Sequence, residues 1–107
     1  MYEILEYVTE EGRIPFRDWL NELRDAQTAA RVEVRLNRVR LGNLGDHKSV
    51  GQGVSELRIS HGPGYRVYFG QRGRTIVILL HGGDKGSQTR DIALARQYWQ
   101  DYLRRSK

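Results

Sequence analysis

The chain has 107 residues, a formal charge of +5 and no cysteine. That length suits a single domain with its own core, and the missing thiols exclude a disulfide framework and any thiolate metal site. The basic balance favours a polyanionic partner: nucleic acid, an acidic protein or an anionic surface.

The N-terminus (M-Y-E-I-L-E) has neither the basic start nor the apolar run of a signal peptide, and nowhere do ~18 apolar residues run together. A cytoplasmic protein without a membrane partner is the expectation. Residues 2–8 read as a strand, apolar on both parities, either covered on both faces or central in a sheet. Pro15 suits the first turn of a helix, and Phe16, Trp19, Leu20 and Leu23 follow at helical spacing. Asp25 can cap a second helix with an apolar seam at Ala29, Val32, Leu36 and Val39. Gly42 is a natural stop. A helical hairpin is expected. Arg31, Arg35 and Arg38 share one ridge of its second helix, which reads either as a solvated face or as a track for an RNA backbone.

Residues 42–53 read as loop, with four glycines around Asp46, His47 and Lys48. Their spacing is not that of a phosphate-binding loop. Three strands follow. In residues 54–60, Leu57 and Ile59 share one parity, and Glu56, Arg58 and Ser60 the other. The run H-G-P-G (61–64) is a turn. Residues 65–71 put Tyr65, Val67 and Phe69 on one side, Arg66 and Tyr68 on the other. Residues 75–81 are so apolar that a central strand is expected. A last helix begins near Ser87, with Ile92, Ala95, Trp99 and Tyr102 as its packing face, and Trp99 is expected in the core. The order β-α-α-β-β-β-α predicts an α+β domain: a small, mostly antiparallel sheet with a helical hairpin and a C-terminal helix. The helices are expected on one face, leaving Glu56, Arg58, Arg66 and Tyr68 together on an open one.

Strand interiors seldom carry arginine. Two guanidinium groups there are costly unless they face water or an anion. With Lys85 and Gln88 in the glycine-rich run after the most apolar strand, Arg58 and Arg66 suggest a cationic pocket for phosphate.

Beyond this, the phrases E-L-R-I (56–59), G-P-G-Y-R-V-Y-F (62–69), L-L-H-G-G-D-K (79–85) and the following S-Q…D-I…A (87–93) resemble the RelE/ParE toxin superfamily, in its HigB-like, phage-related branch. The likeness spans nearly the whole chain. It implies the toxin of a type II toxin–antitoxin pair, most often a ribosome-dependent endoribonuclease that cuts mRNA. It also implies a cognate antitoxin, commonly a small helix-turn-helix protein. ParE-like members instead poison gyrase, and a plain nucleic-acid-binding module is a third reading of the basic, aromatic strands. By the same resemblance Arg66 contacts the scissile phosphate, Arg58 is the basic residue of the preceding strand, Glu56 falls where relatives carry a lysine or a glutamate base, and Lys85 and Gln88 fill the basic and polar positions after the last strand.

RNA supplies its own nucleophile, the 2′-hydroxyl, so cleavage needs a base, a phosphorane stabiliser and an acid, and neither metal nor cofactor is expected. His47, His61 and His81 have no metal-ligand spacing with carboxylates. Arg58 and Arg66 suit charge stabilisation. Glu56 is either the general base or a residue that orients Arg58. His81 is either a proton-transfer group or, by its parity with Val77 and Leu79, a core histidine. Lys85 can neutralise the backbone or protonate the leaving oxygen. Lys48, Tyr68, Gln88, Arg31 and Arg35 are the expected RNA contacts.

Overall fold

A computed structural model describes residues 1–106. The elements are β1 (Glu3–Glu6), α1 (Pro15–Glu22), α2 (Ala26–Arg40), β2 (His47–Gly51), β3 (Val54–Ile59), β4 (Tyr65–Arg72), β5 (Ile76–Asp84), a single 3-10 turn (Lys85–Ser87) and α3 (Gln88–Arg105). They form an α+β fold on one five-stranded sheet, ordered β1-β5-β4-β3-β2. The four consecutive strands β2 to β5 pair antiparallel, and β1 adds in parallel to β5. Among the described residues no helix is long and apolar enough to cross a membrane.

Local chemistry sets the helix starts. Pro15 occupies the first turn of α1, where a missing N–H costs nothing. The Asp25 carboxylate accepts from the Gln27 backbone N–H at 2.9 Å and from the Thr28 hydroxyl at 3.0 Å, closing the start of α2. These bonds, with His61 nearby, hold the Asp25 carboxyl below its ordinary range.

Both faces of the sheet are covered, which corrects the expectation of an open polar face. Phe16 and Leu20 of α1 and Val32, Leu36 and Val39 of α2 pack on Leu57, Ile59, Val67, Phe69, Val77 and Leu79. On the opposite face Ala95 and Trp99 of α3 pack on Tyr7, Val54, Tyr68, Ile78 and Leu80. Trp99 crosses the sheet where Gly53 and Gly70 leave room, and a Cβ at either glycine would lie 2.5 Å from its ring. Two further positions differ from expectation. β1 is an edge strand, because its partner on one side is β5 and on the other is solvent. Residues 47–51 are a strand rather than loop: β2 pairs with β3 through a tight turn in which Gln52 and Gly53 both take positive φ. Its sequence, H-K-S-V-G, lacks the alternation that marks a half-buried strand.

The two ends of the chain are tied by Tyr7, whose hydroxyl donates to Asp101 of α3 at 2.6 Å. Burial first, and that carboxylate second, push the Tyr7 phenol up from 10.0 to about 12. A raised pKa means the protonated phenol stabilises the fold. Its contribution is complete below about pH 10 and disappears as pH rises through about 12. Tyr7→Phe should cost about 1–2 kcal/mol at neutral pH. It should also reduce the loss of melting temperature between those two pH values, checked by thermal melts across the alkaline range.

Candidate active site

The sheet register assembles most of the expected residues at one end of the α3 face. One row across the strands is Lys48–Glu56–Tyr68–His81, each residue directly opposite the next. The adjacent row is Arg58–Arg66–Gly83. The first turn of α3 closes over these rows, with Gln88 donating to Glu56 Oε1 at 3.2 Å. Lys85 stands exposed in the turn before α3, and its backbone N–H donates to the Gly64 carbonyl of the β3–β4 turn at 3.0 Å.

The two arginines are neighbours, but their surroundings differ. Arg58 is 39% exposed and pairs with Asp46 at 3.0 Å, itself 62% exposed. Arg66 is only 13% exposed, and its Nε lies 3.5 Å from Oε2 of the buried Glu56, an ion-pair contact without a hydrogen bond. The expected pair of freely exposed cations is therefore corrected: one guanidinium faces water and the other is largely enclosed, and each has a carboxylate beside it. Both line a cleft of about 170 Å³ with Ser60, Gly64 and Tyr65.

A β-bulge in the β4–β5 pairing changes the reading of His81. The register slips between Tyr68 and Phe69, so Phe69 faces Leu79 while Tyr68 faces His81. The extra residue turns His81 away from the parity of Val77 and Leu79 and onto the α3 face. There its Nε2 donates to Asp91 Oδ1 at 3.0 Å, and Tyr98 meets the ring edge-on with centroids 6.1 Å apart. Asp91 is 2% exposed and also accepts from the Ser87 hydroxyl. With Nε2 donating to a carboxylate, Nδ1 is the acceptor of the neutral ring.

Tyr68, expected to face outward, is fully buried. Burial, followed by the Glu56 and Asp91 carboxylates, pushes its phenol well above the ordinary range and keeps it protonated. Among the described residues, the buried side-chain polar atoms without a hydrogen-bond partner are Arg66 Nε, Tyr68 Oη, His81 Nδ1 and Arg96 Nε. Three of these lie in the two rows just described. Such an atom costs roughly 1–3 kcal/mol, so their concentration marks this end of the sheet as different from the rest of the molecule.

Arg31 and Arg35 are not part of this cluster. Arg35 is half-buried and donates to the carbonyls of Arg58, Leu44 (2.8 Å) and Asp46 (3.2 Å), strapping the α2–β2 loop to the sheet. Burial lowers its pKa from the usual guanidinium value. Arg31 is exposed on α2 and lines an adjoining cleft that shares Asp46, Arg58, Ile59 and Ser60 with the smaller one. Residues that the sequence reading passed over are Asp91, the anchor of His81, and Asp46, the partner of Arg58. An acidic residue in a helix and one in a glycine-rich loop both look like ordinary solvated positions.

The chain matches the family described as "Phage derived protein Gp49-like (DUF891)" over residues 18–100. It is also 45% identical over 83 residues to a protein of Haemophilus influenzae named only as uncharacterized, a match covering 78% of this chain and 84% of the relative. The matched stretch contains the second half of α1, all of α2, the strands from β2 to β5 and every residue of the two rows, and the chain belongs to the phage-derived, Gp49-like family.

Proposed function

We propose that this chain is the toxin of a type II toxin–antitoxin pair and that it cuts ribosome-bound mRNA at the Arg58–Arg66 end of the α3 face. The observation that carries the reading is the set of three unpartnered buried polar atoms beside a cross-strand arginine pair. Buried polar atoms nearly always find a partner in the protein, in ordered water or in a ligand, so three exceptions side by side call for a functional explanation. Membership of a phage-derived family and the likeness to RelE/ParE toxins support the choice of ligand.

The 2′-hydroxyl attacks the adjacent phosphorus, the phosphorane charge must be held, and the 5′-oxygen must leave protonated. Arg58 can receive the phosphate by exchanging Asp46 for it. An exposed ion pair is worth about 0–1 kcal/mol, so that exchange is cheap. Arg66 supports the same group from within the sheet. Glu56 already has Gln88 and Arg66 as neighbours and serves better as the anchor of Arg66 than as a base. His81 is the candidate base, with Asp91 holding Nε2 and Nδ1 buried without a partner. Tyr68 stays protonated and, being fully buried, forms the floor beneath the site. Lys85, exposed at the rim, suits the leaving oxygen or the flanking phosphate. Gln88 and Lys48 border the same end of the sheet.

Induced expression followed by primer extension should map cuts inside translated reading frames, and these cuts should vanish when translation initiation is blocked. Intact messages accompanied by a DNA-damage response would instead indicate gyrase as the target and overturn the nuclease reading.

A further inference from the structure

The free edge of the sheet collects exposed apolar side chains. Among the described residues, the large hydrophobic side chains left exposed are Met1, Leu5, Val8, Val34, Leu41 and Leu103, and all but Val34 gather along β1 or at its ends. Leu5 and Val8 line a cleft of about 270 Å³ with Ile78, Tyr102 and Arg105. Leu103 stands between the last two of these in α3. At the other end of the strand, the Tyr2 backbone N–H donates to the Arg40 carbonyl at 3.2 Å, which sets Leu41 beside Met1. An apolar gathering of this kind marks an interaction surface.

The backbone of β1 is open on the same side. Glu3 and Tyr7 direct their N–H groups towards β5, onto the Thr75 and Leu79 carbonyls. By alternation, Ile4 and Glu6 direct theirs at solvent. Edge strands are usually guarded by free charges. Here Glu6 is already neutralised by Arg17 of α1 at 2.5 Å. Glu3 is the remaining charge, and among the described residues no cation pairs with it. It shares the α3 face of the strand with Leu5 and Tyr7, where the Arg105 guanidinium lies 5.7 Å from the centre of the Tyr7 ring.

We propose that β1 pairs antiparallel with β1 of a second copy of this chain, on a two-fold axis at Leu5, joining two five-stranded sheets into one. Self-complementarity selects this occupant over a strand from another protein. With the axis at Leu5, Ile4 and Glu6 of the two copies exchange backbone hydrogen bonds, and Leu5 meets Leu5 as a non-hydrogen-bonded pair. Glu3 then lies opposite Tyr7 of the second copy and faces the Arg105 that covers that ring. Each contact occurs twice. An axis between Ile4 and Leu5 would instead set Glu3 against Glu6, a pairing of like charges. The proposal is independent of the nuclease reading, because no residue of the two rows lies on this edge.

The chain has no cysteine, so one introduced thiol reports on the axis. Facing residues of a non-hydrogen-bonded pair have Cα atoms about 4.5 Å apart, within disulfide reach. Mild oxidation of the full chain carrying Leu5→Cys should give a covalent dimer on a denaturing gel. Val34→Cys, also exposed but on α2, should stay monomeric. Sedimentation velocity of the wild-type chain over about 1–100 µM should show a monomer–dimer equilibrium. Leu5→Lys places two like charges on the axis and should weaken dimerisation by about tenfold or more, and Glu3→Lys should weaken it separately. All these positions are exposed, and circular dichroism of each variant checks the fold. A wild-type chain that sediments as a monomer throughout that range overturns the proposal. So does a dimer that Leu5→Lys leaves intact, or oxidation that links Val34→Cys as readily as Leu5→Cys.

Discussion

On the proposed nuclease reading, Arg66→Ala should lower single-turnover cleavage of ribosome-bound message by about 10²–10³-fold, the usual effect of removing one stabiliser of a transition-state charge. The substitution also touches stability. Glu56 is 2% exposed, and without Arg66 its nearest remaining donor is Gln88. An enclosed carboxylate that loses its cation can destabilise a protein by about 3–5 kcal/mol. A drop in activity from Arg66→Ala alone would therefore mix two causes. The double variant Arg66→Gln/Glu56→Gln separates them, because two neutral amides replace the ion pair and leave no enclosed charge unpaired. It should melt near the wild-type temperature and remain inactive. Arg58→Ala, on an exposed ion pair, should leave the melting temperature within a few degrees and weaken substrate capture. Full cleavage by a folded double variant would remove Arg66 from the chemistry.

The elements themselves were largely readable in advance, for physical reasons. Phe16, Trp19 and Leu20, or Val32, Leu36 and Val39, have no explanation other than a helix with one buried stripe. Asp25 and Pro15 mark helix starts through chemistry that operates locally. Arg58 and Arg66 could be placed on one parity, and their direct opposition follows from the antiparallel pairing around a short turn. What could not be read depends on tertiary contact. Parity says that Glu56, Arg66 and Tyr68 share a face, but not that a helix starting only at Gln88 covers it. A bulge is invisible to a count of alternating residues, which places His81 on the side of Val77 and Leu79, whereas the Tyr68–His81 register places it on the α3 face. The Arg35 strap is hidden for a similar reason: its partners are backbone carbonyls, which no side-chain pattern reveals.

Trp99→Ala should be the most destabilising single truncation on the α3 face, costing about 3–5 kcal/mol. For a domain of this size that corresponds to a fall of roughly 12–30 °C in melting temperature. The argument rests on how α3 is held. Trp99 is 5% exposed, stacks on Tyr102 with ring centroids 5.4 Å apart, and fills the space above Gly53 and Gly70. Its removal leaves a cavity that those glycines, having no side chains, cannot fill. The consequence extends to the opposite end of the same helix, where Gln88 reaches Glu56 and Asp91 holds His81. Loosening the pivot should therefore let the first turn of α3 shift relative to the arginine rows. Amide exchange should rise in α3 and in the end of β5 before it rises in α1 and α2, which sit on the other side of the sheet. If exchange increases uniformly instead, α3 is not a separate unit, and the site depends on global stability alone. Gly70→Ala attacks the same contact from beneath, because its Cβ enters the Trp99 ring. The two substitutions together should be less than additive, since each small side chain occupies part of the space the other creates or requires.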